Sequence, residues 1–296
     1  MKALIQNYVN GESTEAGYLS EALTRMGLEA QLWSDGRSAF DKLDMYKPDV
    51  IFCHYMFLTG DIIKYLSNNK TIQIVVNVSG IQQHELETIE SEILEKGINC
   101  PFLFSNLPKD AIKVKTKKLK LHSVMNGADI FLPTAGSFID YDIDLGIVCD
   151  YNASSRFSEE IEGVNSWHFI TTSPELESAA LAIPIQYTPE LYGKYKKVIV
   201  TVDGPRVPQQ FFDAILHGKD VSFKGKYETQ DETSQRVITK LLGSDSKSWK
   251  SAVKNKHTCL NRVQKLIKLL GNEDMAKSMN SIIKEYANDN SNSQWL

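Results

Sequence analysis

Short apolar runs alternate with amphipathic stretches along almost the whole chain, and this alternation limits the fold more than any other feature. Lys2–Val9 is an apolar run broken at Asn10-Gly11. Ser13–Met26 follows with Ala16, Leu19, Leu23 and Met26 on one helical stripe, Ser13 as N-cap and Gly27 as stop. Leu28–Trp33 is the next expected strand and Ser38–Tyr46 the next helix, closed by Pro48. Strand Asp49–Cys53, helix Asp61–Ser67, strand Ile72–Asn77 and helix His84–Lys96 continue the pattern, and Pro101–Phe104 and Asp129–Leu132 are the last two expected strands of this half.

The second half repeats it. Expected strands lie at Asp144–Val148, His168–Thr171, Ile185–Tyr187, Lys197–Val202 and Asp220–Phe223, with helices opening at Ser158, Pro174 and Pro208. From Ser234 onward the chain reads as helical through Leu260–Leu270 and Glu273–Tyr286. Strands separated by helices of this length form parallel sheets with right-handed crossovers. The expected class is therefore α/β, as two Rossmann-like domains facing each other and a helical C-terminus. The expected domains are 1–136, 137–272 and a final crossing-back helix with polar tail at 273–296. Ligands of such sheets sit at the carboxyl ends of the strands.

Composition excludes several classes. A net charge of −4 with 42% hydrophobic residues fits a globular protein and argues against disorder or a uniformly basic nucleic-acid coat. Cys53, Cys100, Cys149 and Cys259 are widely spaced, which suits reduced thiols in a cytoplasmic protein better than a disulfide framework. No apolar stretch reaches the roughly 20 residues of a membrane span, and the polar interruptions at Gln6 and Asn7 fit a strand better than a signal peptide. No GxGxxG, Walker A, HExxH or CxxC pattern occurs. Asp142-Ile143-Asp144 matches an Asp-x-Asp pattern, but its place before a strand suits a solvated turn, and no metal is expected there.

The most informative segment runs from Lys197 to Phe223 as strand, Gly/Pro loop, helix, glycine, strand. A loop leading into a helix N-terminus offers free N–H groups to a diphosphate, and Arg206 adds a forked cation. Phe212-Asp213-Ala214 followed by Gly218 resembles the Phe-Glu-Ala segment of GT-B glycosyltransferases, with Asp213 in place of the usual glutamate and no acid near Pro205. His257-Thr258-Cys259-Leu260-Asn261-Arg262-Val263 is similar to the His-Thr-Tyr-x-x-Arg-Ala segment of the CgeB-like subgroup.

The resemblance implies transfer of a sugar from a nucleoside-diphosphate sugar, UDP-linked by expectation, to an acceptor hydroxyl, with no further cofactor. It implies a donor site of Tyr151, Asn152, Arg156, Thr172, Ser173, Gly204, Arg206, Val207, Pro208, Gln209 and Asp213. Ser173 is equally well read as the cap of the helix opening at Pro174. Glu12 and His54, after expected strand ends, are the candidate bases of an inverting reaction; a retaining one needs none.

An anionic acceptor is expected at Lys115, Lys117, Lys118 and Lys120, with His84 nearby. Lys109 to His122 holds six lysines against the single acid Asp110. A solvated face explains such a run as readily as a groove lip for nucleic acid, phospholipid headgroups or anionic glycan, and hydroxymethylated DNA is one candidate acceptor. A sugar-nucleotide epimerase of the same fold and a non-catalytic nucleotide-sugar-binding protein are the competing readings.

Overall fold

The computed structural model describes residues 1–7, 14–34, 43–128, 130, 143–171, 182–184 and 192–288. The chain divides into two compact units: Met1–Met125 with Arg262–Ile282, and Asn126–Asn261 with Ile283–Leu296.

The first unit is built on a six-stranded parallel sheet. Its elements are β1 (Lys2–Asn7), α1 (Thr14–Arg25), β2 (Glu29–Ser34), β3 (Val50–His54), α2 (Gly60–Asn68), β4 (Gln73–Asn77), α3 (Gln83–Glu95), β5 (Leu103–Ser105) and β6 (Leu121–Ser123). The strand order is β2-β1-β3-β4-β5-β6, every pair parallel. Val50, Ile51, Phe52 and Cys53 are buried in succession, as expected of a strand covered on both faces. Ile62, Ile63 and Leu66 of α2 and Leu86 and Ile93 of α3 join Ile51 and Cys53 in one core.

The sixth strand was not among those expected, and the expected 129–132 lies largely outside the described residues. That sixth strand is Leu121–Ser123, inside the lysine run. Leu121 pairs with Leu103 and packs against the core with Val114 and Leu119. Three widely spaced apolar residues among lysines gave too weak an alternation to reveal a strand.

The second unit carries β7 (Ile143–Val148), α4 (Ser158–Ile161), β8 (Trp167–Thr171), β9 (Ala182–Pro184), β10 (Tyr195–Val202), α5 (Gln209–His217), β11 (Val221–Gly225), α6 (Asp231–Leu242) and α7 (Trp249–Lys256). The parallel order β11-β10-β7-β8-β9 is the 3-2-1-4-5 arrangement of a Rossmann sheet read from its other edge. A Cβ on Gly146 of β7 would meet the Tyr195 ring at 2.9 Å, so glycine there lets the aromatic lie close to the sheet. The expected helix from Pro174 and strand Ile185–Tyr187 lie outside the described residues.

α8 (Cys259–Leu269) and α9 (Glu273–Asn288) end the described chain. Arg262–Ile282, most of α8 and the start of α9, count with the first unit, and Val263, Leu266 and Ile267 of α8 are buried. Among the described residues, no helix is long and apolar enough to cross a membrane.

Candidate functional site

In each sheet the strand order reverses direction once, and in open α/β sheets such a reversal is where ligands bind, beyond the carboxyl ends of the strands. In the second unit this point lies between β7 and β10. After β7, the Asp150 side chain accepts from the Ala153 N–H at 3.2 Å and opens the 3-10 turn Tyr151–Phe157. After β10, Asp203 to Arg206 form a tight turn, closed by the Arg206 N–H on the Asp203 carbonyl at 3.1 Å. Gly204 in this turn has φ +60°, a conformation that favours glycine. The Ser234 hydroxyl donates to the Gly204 carbonyl at 3.1 Å and fixes the turn from α6.

The turn delivers the chain to the N-terminus of α5. Pro208 is the N-cap residue and has no capping side chain, so the first N–H groups of α5 lack the side-chain acceptor usual at that position. Arg206 is exposed at the turn, and its guanidinium makes no ion pair among the described residues. A forked cation beside an uncapped helix N-terminus is a ready anion site.

Charged pairs surround this turn. Lys226 Nζ lies 2.6 Å from an Asp150 carboxylate oxygen, and its ammonium is held above the ordinary lysine range chiefly by that bond. Arg156 donates to the Gly225 carbonyl and to the Asp231 carboxylate, at 3.0 Å for the closer Asp231 contact. Burial pushes the Asp231 carboxyl up, but the Arg156 guanidinium and the Gly225 N–H outweigh it and hold the group low. Lys224 pairs with Glu160, Gln230 donates to Asp203 at 2.9 Å, and the exposed Tyr227 ring lies under Lys226.

The structure therefore brings Asn152, Gly204, Arg206, Val207 and Pro208 to the same strand ends, with Asn152 exposed and Val207 buried. Tyr151 opens the turn after β7. Arg156 is near too, but Asp231 and Gly225 hold it. Gln209 and Asp213 are buried, Asp213 to 4% exposure among the core-facing residues of α5. Thr172 and Ser173 lie outside the described residues. Asp150, Lys224, Lys226 and Tyr227 were not singled out from sequence, although each lies at or just beyond the end of β7 or β11. The strand-end rule applied to every strand would have found them.

The His257–Val263 segment serves packing in this structure. The His257 ring stacks on Phe212 at 5.5 Å between centroids, and burial holds its pKa below the usual histidine value. Thr258 Oγ1 and Asn261 bond at 2.7 Å at the start of α8. Arg262 is buried with its guanidinium 5.8 Å from the centre of the Phe104 ring. Gly127 lies against the same segment: a Cβ there would come within 2.5 Å of the Thr258 carbonyl.

In the first unit the reversal lies between β1 and β3, and His54 is the last residue of β3. Its Nδ1 accepts the Met56 N–H at 3.4 Å, and Nε2 faces the Ser79 carbonyl at 3.3 Å. With Nε2 as the donor, both ring nitrogens are engaged by backbone, so His54 must give up a bond before it can take a proton. Gln6 accepts from the His54 N–H, while Asn77 accepts from the Ser79 N–H at 3.0 Å and the Ser79 hydroxyl at 2.5 Å. Glu12 lies outside the described residues.

The acceptor candidates lie elsewhere in this unit. His84 is exposed in the first turn of α3. Lys115, Lys117, Lys118 and Lys120 are exposed on the segment before β6. Asp142 lies outside the described residues. Asp144 pairs with Lys196 at 2.6 Å and accepts from Ser166 at 3.3 Å; these contacts lower its pKa, the Lys196 bond most of all. Among the described residues no three His, Cys, Asp or Glu side chains converge as a metal site would require.

No protein-family model matches the chain, and no curated protein matches it. Solved structures do. The Streptomyces sp. SF2575 glycosyltransferase SsfS6, solved with thymidine diphosphate, is 10% identical, with 97% of this chain and 96% of that one covered and a TM-score of 0.47. The glycosyltransferase SnogD from Streptomyces nogalater is 10% identical over 97% and 99% of the chains, at 0.47. A trehalose-6-phosphate structure from E. coli, bound with UDP-2-fluoro glucose, is 9% identical over 98% and 99%, at 0.48. The two strand orders themselves place the chain among two-unit proteins with parallel, Rossmann-like sheets.

Proposed function

We propose that the protein transfers a sugar from a nucleoside-diphosphate sugar to an acceptor hydroxyl. One observation carries this reading: at the strand-order reversal of the second unit, the Gly204 turn, the uncapped N-terminus of α5 and the exposed Arg206 converge. Cleavage of the sugar–phosphate bond leaves charge on the departing diphosphate. Fixed N–H dipoles and a guanidinium stabilise that charge as it forms. Lys226 is paired with Asp150, and a phosphate oxygen can compete for the same ammonium. Tyr227 offers an exposed ring face at the neighbouring strand end, suited to stacking under a nucleobase.

For the base of an inverting transfer we favour Glu12, because the ring nitrogens of His54 are both engaged. A carboxylate on the segment leaving β1 can draw the proton from the acceptor hydroxyl as oxygen attacks the sugar.

A thermal-shift screen of UDP, TDP, ADP, GDP and their sugars tests the donor reading. At least one diphosphate is expected to raise the melting temperature, with the monophosphate weaker because it loses half of the anion. A flat response to all of them would refute it. Hydrolysis or transfer of the stabilising nucleotide sugar, followed by release of the free diphosphate, separates an enzyme from a binding protein.

A further inference from the structure

The segment before β6 is a lysine-bearing strap whose backbone is clamped by α3. Gln83, Glu87 and Glu90 stand three and four residues apart, on one stripe of that helix. Gln83 exchanges two hydrogen bonds with the Lys115 backbone, at 2.8 and 2.9 Å. Glu90, 2% exposed, accepts the N–H groups of Lys117, Lys118 and Leu119 at 2.6 to 2.7 Å. Glu87 pairs with Lys117 at 3.1 Å. Val114, Leu119 and Leu121 pack against the core beneath.

The clamp fixes the backbone and leaves the ammonium groups outside. Lys113, Lys115, Lys118 and Lys120 are exposed and make no ion pair among the described residues. Lys120 and Lys265 both act on the His122 ring and, after burial, help to lower its pKa. Arg262 of α8 stands over Phe104 of β5, the strand next to this edge, and Lys265 and Lys268 of α8 line an open groove of about 350 Å³ between α8 and α9, with Lys277 and the acid Glu273 on its other side. A protein of net charge −4 thus holds its cations together on a rigid support.

We infer that this face binds the backbone of double-stranded nucleic acid. Charge density selects the partner. Duplex DNA presents one charge per about 1.7 Å of axis, and Lys113, Lys115, Lys118 and Lys120 stand exposed on one short stretch to meet such a row of charges. A membrane partner is disfavoured because the apolar residues of the strap face the core, leaving nothing to insert. Single strands are held by stacking on aromatic rings. None occurs from Lys109 to Leu121, and the half-buried His122 packs edge-on against Phe102. The contacts are therefore to phosphate, without sequence readout. This inference stands apart from the sugar-transfer reading, and its test measures binding alone.

The test is fluorescence anisotropy of the full chain with two labelled 20-base-pair duplexes of unrelated sequence, titrated across salt. Four phosphate contacts give a slope of log K on log salt of about −3.6, a loss on the order of 10²-fold between 50 and 200 mM. Both duplexes should bind alike. Lys115→Gln with Lys118→Gln and Lys120→Gln should weaken binding at least tenfold and flatten the slope by about 2.7. Lys113→Gln with Lys265→Gln and Lys268→Gln gives a second, independent loss. Lys64→Gln with Lys247→Gln and Lys250→Gln, on exposed lysines elsewhere, should change it less than twofold. No duplex binding at 50 mM salt overturns the proposal. So does binding untouched by both strap variants, or tighter binding to heparin or phosphatidylserine vesicles than to duplex.

Discussion

The two sheets share parallel strands and a single reversal of strand order, yet the chemistry at their carboxyl ends differs. In the first unit the described residues at that edge are neutral. Gln6, His54, Asn77 and Ser79 satisfy one another and the backbone, and charge is displaced to the strap at the far edge of the sheet. In the second unit the edge is ionic: Asp150 with Lys226, Arg156 with Asp231 and Lys224 with Glu160 surround the Gly204 turn. Neutral bonds in a closed network have nothing to gain from an arriving anion. Cations beside an uncapped helix do, because a diphosphate supplies the acceptors that the fold leaves out. One architecture thus carries neutral hydrogen bonds at the described strand ends of one unit and ion pairs at those of the other.

The largest effect that would sharpen this contrast is Glu12→Gln. If the first unit supplies only a base, kcat should fall by about 10²- to 10⁴-fold while the diphosphate Kd stays within twofold. A parallel loss of nucleotide affinity would place Glu12 at the donor instead.

Next come the two arginines of the ionic edge. Arg156→Ala breaks a half-buried pair with Asp231. Discounted for the exposure of the carboxylate, it should cost about 1–2 kcal/mol of stability. Arg206→Ala should leave stability within about 0.5 kcal/mol, as for a surface change. Chemical denaturation of both variants checks the difference, and equal destabilisation would erase it.

In the neutral edge, Asn77→Ala leaves the buried Ser79 N–H and hydroxyl without their acceptor, at about 1–3 kcal/mol. Nucleotide affinity should be unchanged. A weakened Kd in this variant would show that the donor site draws on the first unit.

The smallest effect is in the pH profile. His257 has a lowered folded pKa, so the unfolded chain takes a proton before the folded one does. Its contribution is whole above about pH 6.5 and is lost as pH falls through the folded value. His257→Phe keeps the stack on Phe212 and should flatten the fall of stability below about pH 6.5 in urea titrations. An unchanged slope would assign the acid loss to His122 and His168, whose pKa values burial also lowers.

Much of the fold was legible because buried parallel strands read as unbroken apolar runs. Val50–Cys53 and Lys197–Val202 could hardly be anything else. Leu121–Ser123 escaped because an edge strand buries little and its neighbours are lysines. The turn into α5 was legible from Gly204 and Pro208, since turn chemistry is local. Asp150, Lys226 and Asp231 were not, because ion pairs that close an edge join residues distant in sequence. Arg156 was expected at the donor and is held by Asp231, 75 positions away; no local pattern announces such a partner.

On the proposed reading, the ionic edge of the second unit seats a nucleoside diphosphate. Isothermal titration of the nucleotide that stabilises the wild-type protein, repeated with Arg206→Ala, tests it most directly. Loss of a charge-assisted contact worth about 1.5–3 kcal/mol predicts a Kd weaker by roughly 10- to 150-fold in a variant that melts like the wild type. Equal affinity in the two proteins would contradict the account.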